Sequence, residues 1–291
     1  MKLETFSIPQ LEAISRLIRF RTIRNSHLTG TPHLASCLSC TDLLVWLYWN
    51  TLRLDPKNPA ADNRDRFILS KGHAAPVLFQ VLAERGFYGL DALESYGQGG
   101  SIFGEHPPSP DHLAGIEAAT GSLGHGLSMG LGMALASRIT HNPYRVFAIL
   151  GDGECNEGSI WEAALMASAQ KVSNLTVFVD YNKWQATGRS DEVLGLAPLV
   201  DKWKAFGWAC KEIDGNSFEE IESAYNSLAK DDRPKAIIAH TVKGKGIPFM
   251  EDDNNWHYRI PTADEVRQSA EILGISSDQI QLDGRKPISH G

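Results

Sequence analysis

Two short apolar runs, Val146-Phe147-Ala148-Ile149-Leu150 and Thr176-Val177-Phe178-Val179, each close on a hard oxygen donor. The first leads into Gly151-Asp152-Gly153-Glu154 and the second into Asp180-Tyr181-Asn182. Apolar runs rich in branched residues read as strands buried on both faces. The stretch between them, Gly158 to Lys171, is helical in pattern. Strand, helix, strand is a right-handed crossover in a parallel sheet. It brings Asp152 and Asn182 out together at the carboxyl end of the sheet, where such folds take ligands. One carboxylate and one amide oxygen do not cage a bare magnesium ion; they suit one that also takes oxygens from a diphosphate. Gly151 and Gly153 permit a sharp turn and close approach to phosphate. The helix beginning just beyond offers free N–H groups to the same anion. A lone Gly-Asp-Gly is more often an ordinary turn, so the flanking strand, helix and Asn carry the reading.

The rest of the chain continues the alternation. Gln10 to Asn25 is an amphipathic helix, followed by a polar loop from Asn25 to Pro32. Thr41 to Leu52 reads as a buried helix, Arg66 to Ser70 as a short strand, and His73 to Arg85 as a helix stopped by Gly86. Gly97 to Asp111 is irregular, and Gly121 to Arg138 is a glycine-rich loop running into a helix of small residues. After a loop from Trp184 to Leu196 come helix 199–205, strand 208–213, helix 217–229 and strand 235–240. This predicts an α/β fold: a doubly wound, mostly parallel sheet with helices on both faces. One domain over residues 1–275 is expected, with a weakly ordered tail over 276–291.

Composition narrows the partners. A net charge of −7 without a long basic run argues against nucleic acid and anionic membrane. The longest apolar run, Leu43 to Trp49, is too short to span a bilayer, and the first residues lack the apolar core of a signal peptide. A cytoplasmic location is expected. Cys37 and Cys40 form a Cys-x-x-Cys, but with only Cys155 and Cys210 besides, no second pair completes a zinc set; buried thiols are the better reading.

Asn182 follows Asp152 by 30 residues, a spacing that resembles the thiamine diphosphate motif, and the residues around it resemble transketolase. Gly151-Asp152-Gly153-Glu154 with Glu157-Gly158 and Trp161-Glu162-Ala163 is similar to that family's metal loop and following helix. Ser70-Lys71-Gly72-His73 resembles its Ser-x-Gly-His signature, and Thr120-Gly121-Ser122-Leu123-Gly124-His125-Gly126 its Thr-Gly-x-Leu-Gly-x-Gly loop. Pro32-His33 ahead of Asp42 matches the spacing of an early motif. Lys243-Gly244-Lys245-Gly246 and Trp256-His257 resemble the end of the same domain. The likeness runs in order from about residue 10 to 265.

The resemblance implies the amino-terminal subunit of a split transketolase, since full transketolases are more than twice as long as these 291 residues. Such a protein transfers a two-carbon ketol unit from a ketose or ketose phosphate to an aldose. It would act only with a carboxy-terminal partner carrying the pyrimidine domain, in a heterotetramer of two plus two. The cofactors implied are thiamine diphosphate and Mg2+, with Ca2+ or Mn2+ able to substitute. Asp152, Asn182 and the backbone carbonyl of Trp184 would be metal ligands. Gly121, Ser122, Leu123, Gly151, Gly153 and Glu154 would line the cofactor, as would Asn182, His73 and His257. His73 and His257 would lie near the diphosphate and the reacting end of the substrate, with His33 and His106 on sugar hydroxyls. Glu157 would link the two active sites.

Several residues depart from the pattern. His112 rivals His106, because the step from His106 to Gly121 is one residue longer than the family's. His125 stands where many relatives have Gln, leaving packing and catalysis open. Tyr258 and Arg259 replace a more usual Gly after Trp-His and would add bulk and charge beside the acceptor channel, which puts ordinary pentose phosphates in doubt. Two other enzyme readings share parts of the pattern. The α subunit of a 2-oxo acid dehydrogenase shares the Gly-Asp-Gly to Asn unit, and deoxyxylulose phosphate synthase shares a His-Leu-Ala-Ser stretch. A cofactor-binding protein without turnover of its own is the reading from another class.

Overall fold

Five strands form one sheet in the computed structural model, which describes residues 5–276 and residue 280. They are β1 (Arg66–Leu69), β2 (Val146–Gly151), β3 (Leu175–Tyr181), β4 (Ala209–Asp214) and β5 (Lys235–His240). The order across the sheet is β1-β2-β3-β5-β4 and every pairing is parallel. Each strand is fed by a helical crossover. The helices are α1 (Ile8–Thr29), α2 (Leu34–Ser39), α3 (Thr41–Trp46), α4 (Ala75–Arg85), α5 (Gly126–Ile139), α6 (Gly158–Ala169), α7 (Ser190–Val193), α8 (Leu199–Ala205), α9 (Phe218–Leu228) and α10 (Ala263–Leu273).

Alternate strand residues enter two separate cores, as period-two side-chain geometry requires. Phe67, Leu69, Phe147, Ile149, Phe178 and Ile237 pack against α1, α3, α4 and α9. Ile68, Ala148, Leu150, Val177, Val179 and Ile238 pack against α5, α6 and α8 on the opposite face. The sheet is thus doubly wound, as its apolar runs predict. A third cluster joins α1 and α2 to α10 around Phe20, Trp256 and Val266. It anchors the segment after β5 back over the start of the chain.

The structure corrects several local expectations. The polar stretch after Asn25 is not a loop: α1 continues to Thr29 and ends on Gly30, whose φ of +70° is the left-handed stop. Its polar residues are buried and bonded locally, Ser26 Oγ to Thr31 O at 2.7 Å and Thr29 Oγ1 to Asn25 O at 2.8 Å. The buried helix from Thr41 loosens after Trp46 into a π-helical turn, Leu47–Thr51. His73 lies in a short 3-10 turn, Gly72–Ala74, ahead of α4. The loop after Trp184 contains α7, and α10 follows a region the sequence left without a helix. Cys37, Cys40 and Cys155 are buried, and burial pushes their thiols up, as suits packing rather than chemistry. Among the described residues, no helix is long and apolar enough to cross a membrane. The expected tail, apart from 276 and 280, lies outside the described residues.

Candidate active site

Strand register sets the site. Gly151 pairs with Asp180, so Asp152 and Asn182 leave neighbouring strands at nearly the same level. Asp152 Oδ2 accepts from the backbone N–H of Lys183 at 2.9 Å and from Ser190 Oγ at 2.7 Å. Asn182 Oδ1 accepts from Trp184 N–H at 3.0 Å, and its Nδ2 donates to Asp180 Oδ2 at 3.2 Å. Both side chains are buried. Burial pushes the Asp152 carboxyl up to about 6, with the Asp180 charge adding to it and the Ser190 hydroxyl opposing it.

Beneath them lies a buried ion pair. Lys71, from the bend after β1, places Nζ 2.5 Å from Asp180 Oδ2 and 2.9 Å from the carbonyl of Ser36. Asp180 also accepts from Ser39 Oγ at 2.7 Å and Thr241 Oγ1 at 2.5 Å. Burial works against the Lys71 ammonium, but Asp180 outweighs it and holds the ammonium above the usual lysine range. One carboxylate thereby joins the ends of β1, β3 and β5 and orients Asn182.

Glu154 performs a similar task one layer over. Its buried carboxylate accepts from Ser70 Oγ, from Gly124 N–H at 2.8 Å and from Gly151 N–H at 3.1 Å. Burial raises its carboxyl, and these three donors oppose that rise. It ties the bend after β1, the glycine-rich loop before α5 and the end of β2 into one knot. Backbone approach there is close. A Cβ on Gly72 would stand 2.6 Å from Gly121 N. Gly121 itself has φ +148°, and a Cβ there would stand 2.8 Å from the His106 ring.

Four imidazoles gather at the mouth. The His33 ring centroid lies 5.5 Å from His73, 6.5 Å from His106 and 5.0 Å from His257, and His73 lies 6.0 Å from His257. A backbone bond from His33 N–H to the His257 carbonyl, 2.7 Å, holds first and last segments together. His257 Nδ1 is 3.3 Å from Lys243 Nζ, which also donates to Asn254 Oδ1 at 2.6 Å. Burial lowers the pKa of His33, takes that of His73 well below the usual value and brings that of His257 to about 3, with Lys243 next in effect there. Burial brings Lys243 down to about 8. These rings are neutral at pH 7, able to accept and return protons.

The structure brings together all four histidines of the expected set. His112 is exposed and outside the ring contacts of the cluster, while His125 is exposed with Nδ1 3.2 Å from the Leu123 carbonyl. Gly121 and Leu123 line the cleft half-buried, Ser122 is exposed, and Gly153 is half-buried beside Gln185. Glu157 is exposed at the start of α6, away from the imidazoles. Tyr258 is exposed with its ring 4.7 Å from that of His257, whereas Arg259 is engaged by Glu265 and stacks 4.2 Å over Trp256. Sequence reasoning missed the Lys71–Asp180 pair, Lys243 and Gln185.

The donor set fits a divalent cation shared with a diphosphate. Asp152 and Asn182 offer hard oxygens, and a cation would offset the burial of the Asp152 charge. Among the described residues, no group of three His, Cys, Asp or Glu side chains could hold a metal ion, so further oxygens must come from elsewhere. Gln185 Nε2 is buried without a hydrogen-bond partner and lies 3.6 Å from where a Cβ on Gly153 would stand. It is a donor beside the loop that an anion would occupy.

A family profile described as "Transketolase, thiamine diphosphate binding domain" matches residues 12–283. One of the two subunits of an apulose-4-phosphate transketolase from Phocaeicola vulgatus is 37% identical over 275 residues, covering 94% of this chain and 97% of that one. The 6-deoxy-6-sulfo-D-fructose transketolase subunit SqwG of a Clostridium species is 39% identical over 242 residues, covering 83% and 88%. Among solved structures, transketolase from Campylobacter jejuni superposes with a TM-score of 0.88 at 26% identity, covering 96% of this chain and 44% of that one. The chain thus spans less than half the length of that solved transketolase and nearly all of the separate subunits.

Proposed function

The chain belongs to the transketolase family through its thiamine diphosphate binding domain, and from that premise we propose that it is the amino-terminal subunit of a split transketolase. The complete enzyme transfers a two-carbon ketol unit from a ketose or ketose phosphate to an aldose. One observation carries this reading: four neutral imidazoles stand together at the mouth of a cleft whose floor is the Asp152–Asn182 pair.

Asp152, Asn182 and the carbonyl of Trp184 would hold Mg2+, with Ca2+ or Mn2+ as substitutes of the same oxygen preference. Gly153 and the Gly121-Ser122-Leu123 backbone would meet the diphosphate and ring, with Gln185 as a further donor. Bound thiamine diphosphate supplies a nucleophilic thiazolium carbon and an electron sink. His73 and His257 would take a proton from the donor hydroxyl at the bond to be cleaved and return it to the acceptor. His33 and His106 would orient sugar hydroxyls, and burial keeps His33 neutral for that purpose. The neighbouring Lys243 ammonium supports the neutral form of His257. Glu154 would position the diphosphate loop from beneath rather than touch the cofactor. We take residues 1–275 as the diphosphate domain and the chain as cytoplasmic. Its partner would be a carboxy-terminal subunit carrying the pyrimidine domain, in a heterotetramer of two plus two.

Co-expression with that partner, followed by a screen of ketose donors and aldehyde acceptors, tests the reading. Ketol transfer dependent on both subunits, thiamine diphosphate and Mg2+ is expected. Decarboxylation of a 2-oxo acid without ketol transfer would overturn it.

A further inference from the structure

The ends of the strands hold the site from below, and a separate set of contacts on the exposed rim ties two of its loops to each other. After Asn182 the chain doubles back as a narrow hairpin. Trp184 and Arg189 pair as an antiparallel bridge, Gln185 N–H donates to Gly188 O at 2.9 Å, and Ser190 N–H to Lys183 O at 3.1 Å. Its base rests on Asp152 through Lys183 and Ser190.

Its outer part rests on Asp252. That carboxylate accepts from Trp184 Nε1 at 2.8 Å and from the two terminal nitrogens of Arg189 at 2.6 Å each. The Arg189 guanidinium lies 3.8 Å over the Trp184 ring. Asn254 adds a bond to the Ala186 carbonyl at 3.1 Å. Asp252, at φ +59°, donates its own N–H to the Lys243 carbonyl at 2.8 Å and leads into Asn254 and His257. The carboxylate therefore stands between the hairpin after the metal donors and the segment bearing the imidazole opposite.

An exposed ion pair alone contributes little stability, and Asp252 is 55% exposed. This pair differs in geometry. It is bidentate, it takes a third donor, and its guanidinium is stacked on an indole, three features that fix orientation. Its effect falls on the placement of the two segments more than on global stability.

We propose that Asp252 is a positioning residue: a clasp that fixes the hairpin after Asn182 to the segment of Asn254 and His257, setting both sides of the cleft together. The inference rests on the thiamine diphosphate reading above for its consequence, and on the contacts alone for its existence. In Asp252→Ala the two segments come free together. Gln185 and the Trp184 carbonyl lose their placement on one side, and Lys243 and His257 on the other.

Hydrogen exchange on the isolated chain tests the clasp directly. Asp252→Ala should speed amide exchange in both 183–190 and 253–258 while β2 and β3 stay as in the wild type. In the complex with the partner subunit, calorimetry with thiamine diphosphate and Mg2+ should show affinity lower by about tenfold. The kcat at saturating cofactor should fall by about fivefold. Asp252→Asn, which keeps the indole bond, should lie between. Loosening of the hairpin alone would overturn the proposal, as would unchanged affinity or wild-type kcat at saturation. Faster exchange through β2 and β3 would also overturn it, since Asp252 would then support the fold rather than the site. If the wild-type complex binds no thiamine diphosphate, the functional reading fails, and the exchange experiment still decides the clasp.

Discussion

Asp152 shows how a single residue is set against its own fold. A carboxyl whose folded pKa is raised stabilises the fold below its unfolded value near 3.8, and that contribution is gone above about 6. A rise of that size corresponds to roughly 3 kcal/mol. Asp152→Asn should therefore make the cofactor-free chain more stable at pH 7, by about 1–3 kcal/mol, because Asn still accepts from Ser190 and Lys183. The gain should vanish toward pH 4; urea unfolding at both pH values measures it, and a gain independent of pH would contradict the assignment. The same variant, like Asp152→Ala, should lose at least about a hundredfold in ketol transfer, since two fixed anions would face each other without their cation. Gly121 makes a steric case. At φ +148° an Ala is strained, and its Cβ would enter the His106 ring. Gly121→Ala should weaken thiamine diphosphate binding by at least about tenfold, at a stability cost of about 1–2 kcal/mol. Calorimetry beside thermal unfolding separates the two effects.

At the level of elements, the parallel sheet was legible because β2, β3 and β5 are apolar on both faces, so each run marks a strand without reference to the rest of the chain. Helix α8, Leu199–Ala205, was legible to the residue, bounded by Pro198 and Gly207. The end of α1 was not. Asn25, Ser26 and Thr29 look like loop residues, yet each is buried, and partners along the helix and just beyond it satisfy the Ser26 and Thr29 hydroxyls. The donors Asp152 and Asn182 were legible from local pattern. Lys71, Glu154 and Asp252 in their joining roles were not, because their partners lie 30 to 109 residues away and follow no period. Lys71–Asp180 is the strongest such joint. Breaking a buried pair leaves an uncompensated charge, so Lys71→Met should destabilise the chain by about 3 kcal/mol or more. Removing the charge as well, in Lys71→Met with Asp180→Asn, should recover part of that loss. Denaturant midpoints of the two variants check this; a double variant weaker than the single one would sink it.

For the whole molecule, the outer faces of α5 and α6 leave Met129, Ile139, Leu165 and Met166 exposed, Ile139 by 77%. In the proposed heterotetramer these side chains are available for burial between subunits. The isolated chain should bind thiamine diphosphate with Mg2+ weakly and the complex tightly. Leu165→Glu should lower the two-plus-two assembly in light scattering without changing the melting temperature of the isolated chain. Equal cofactor affinity with and without partner would count against the split-enzyme arrangement. The backbone bond between His33 and His257 has a consequence in time rather than in space. It staples residues 224 positions apart, and closing so long a loop is entropically slow. The β2-α6-β3 crossover can form while later segments are still being synthesised. The pocket cannot, because its last wall is made only when the segment after β5 returns over α2. A nascent chain therefore carries a folded scaffold and an unfinished cleft, and the interval between the two is when a chaperone or a waiting partner has the most to gain.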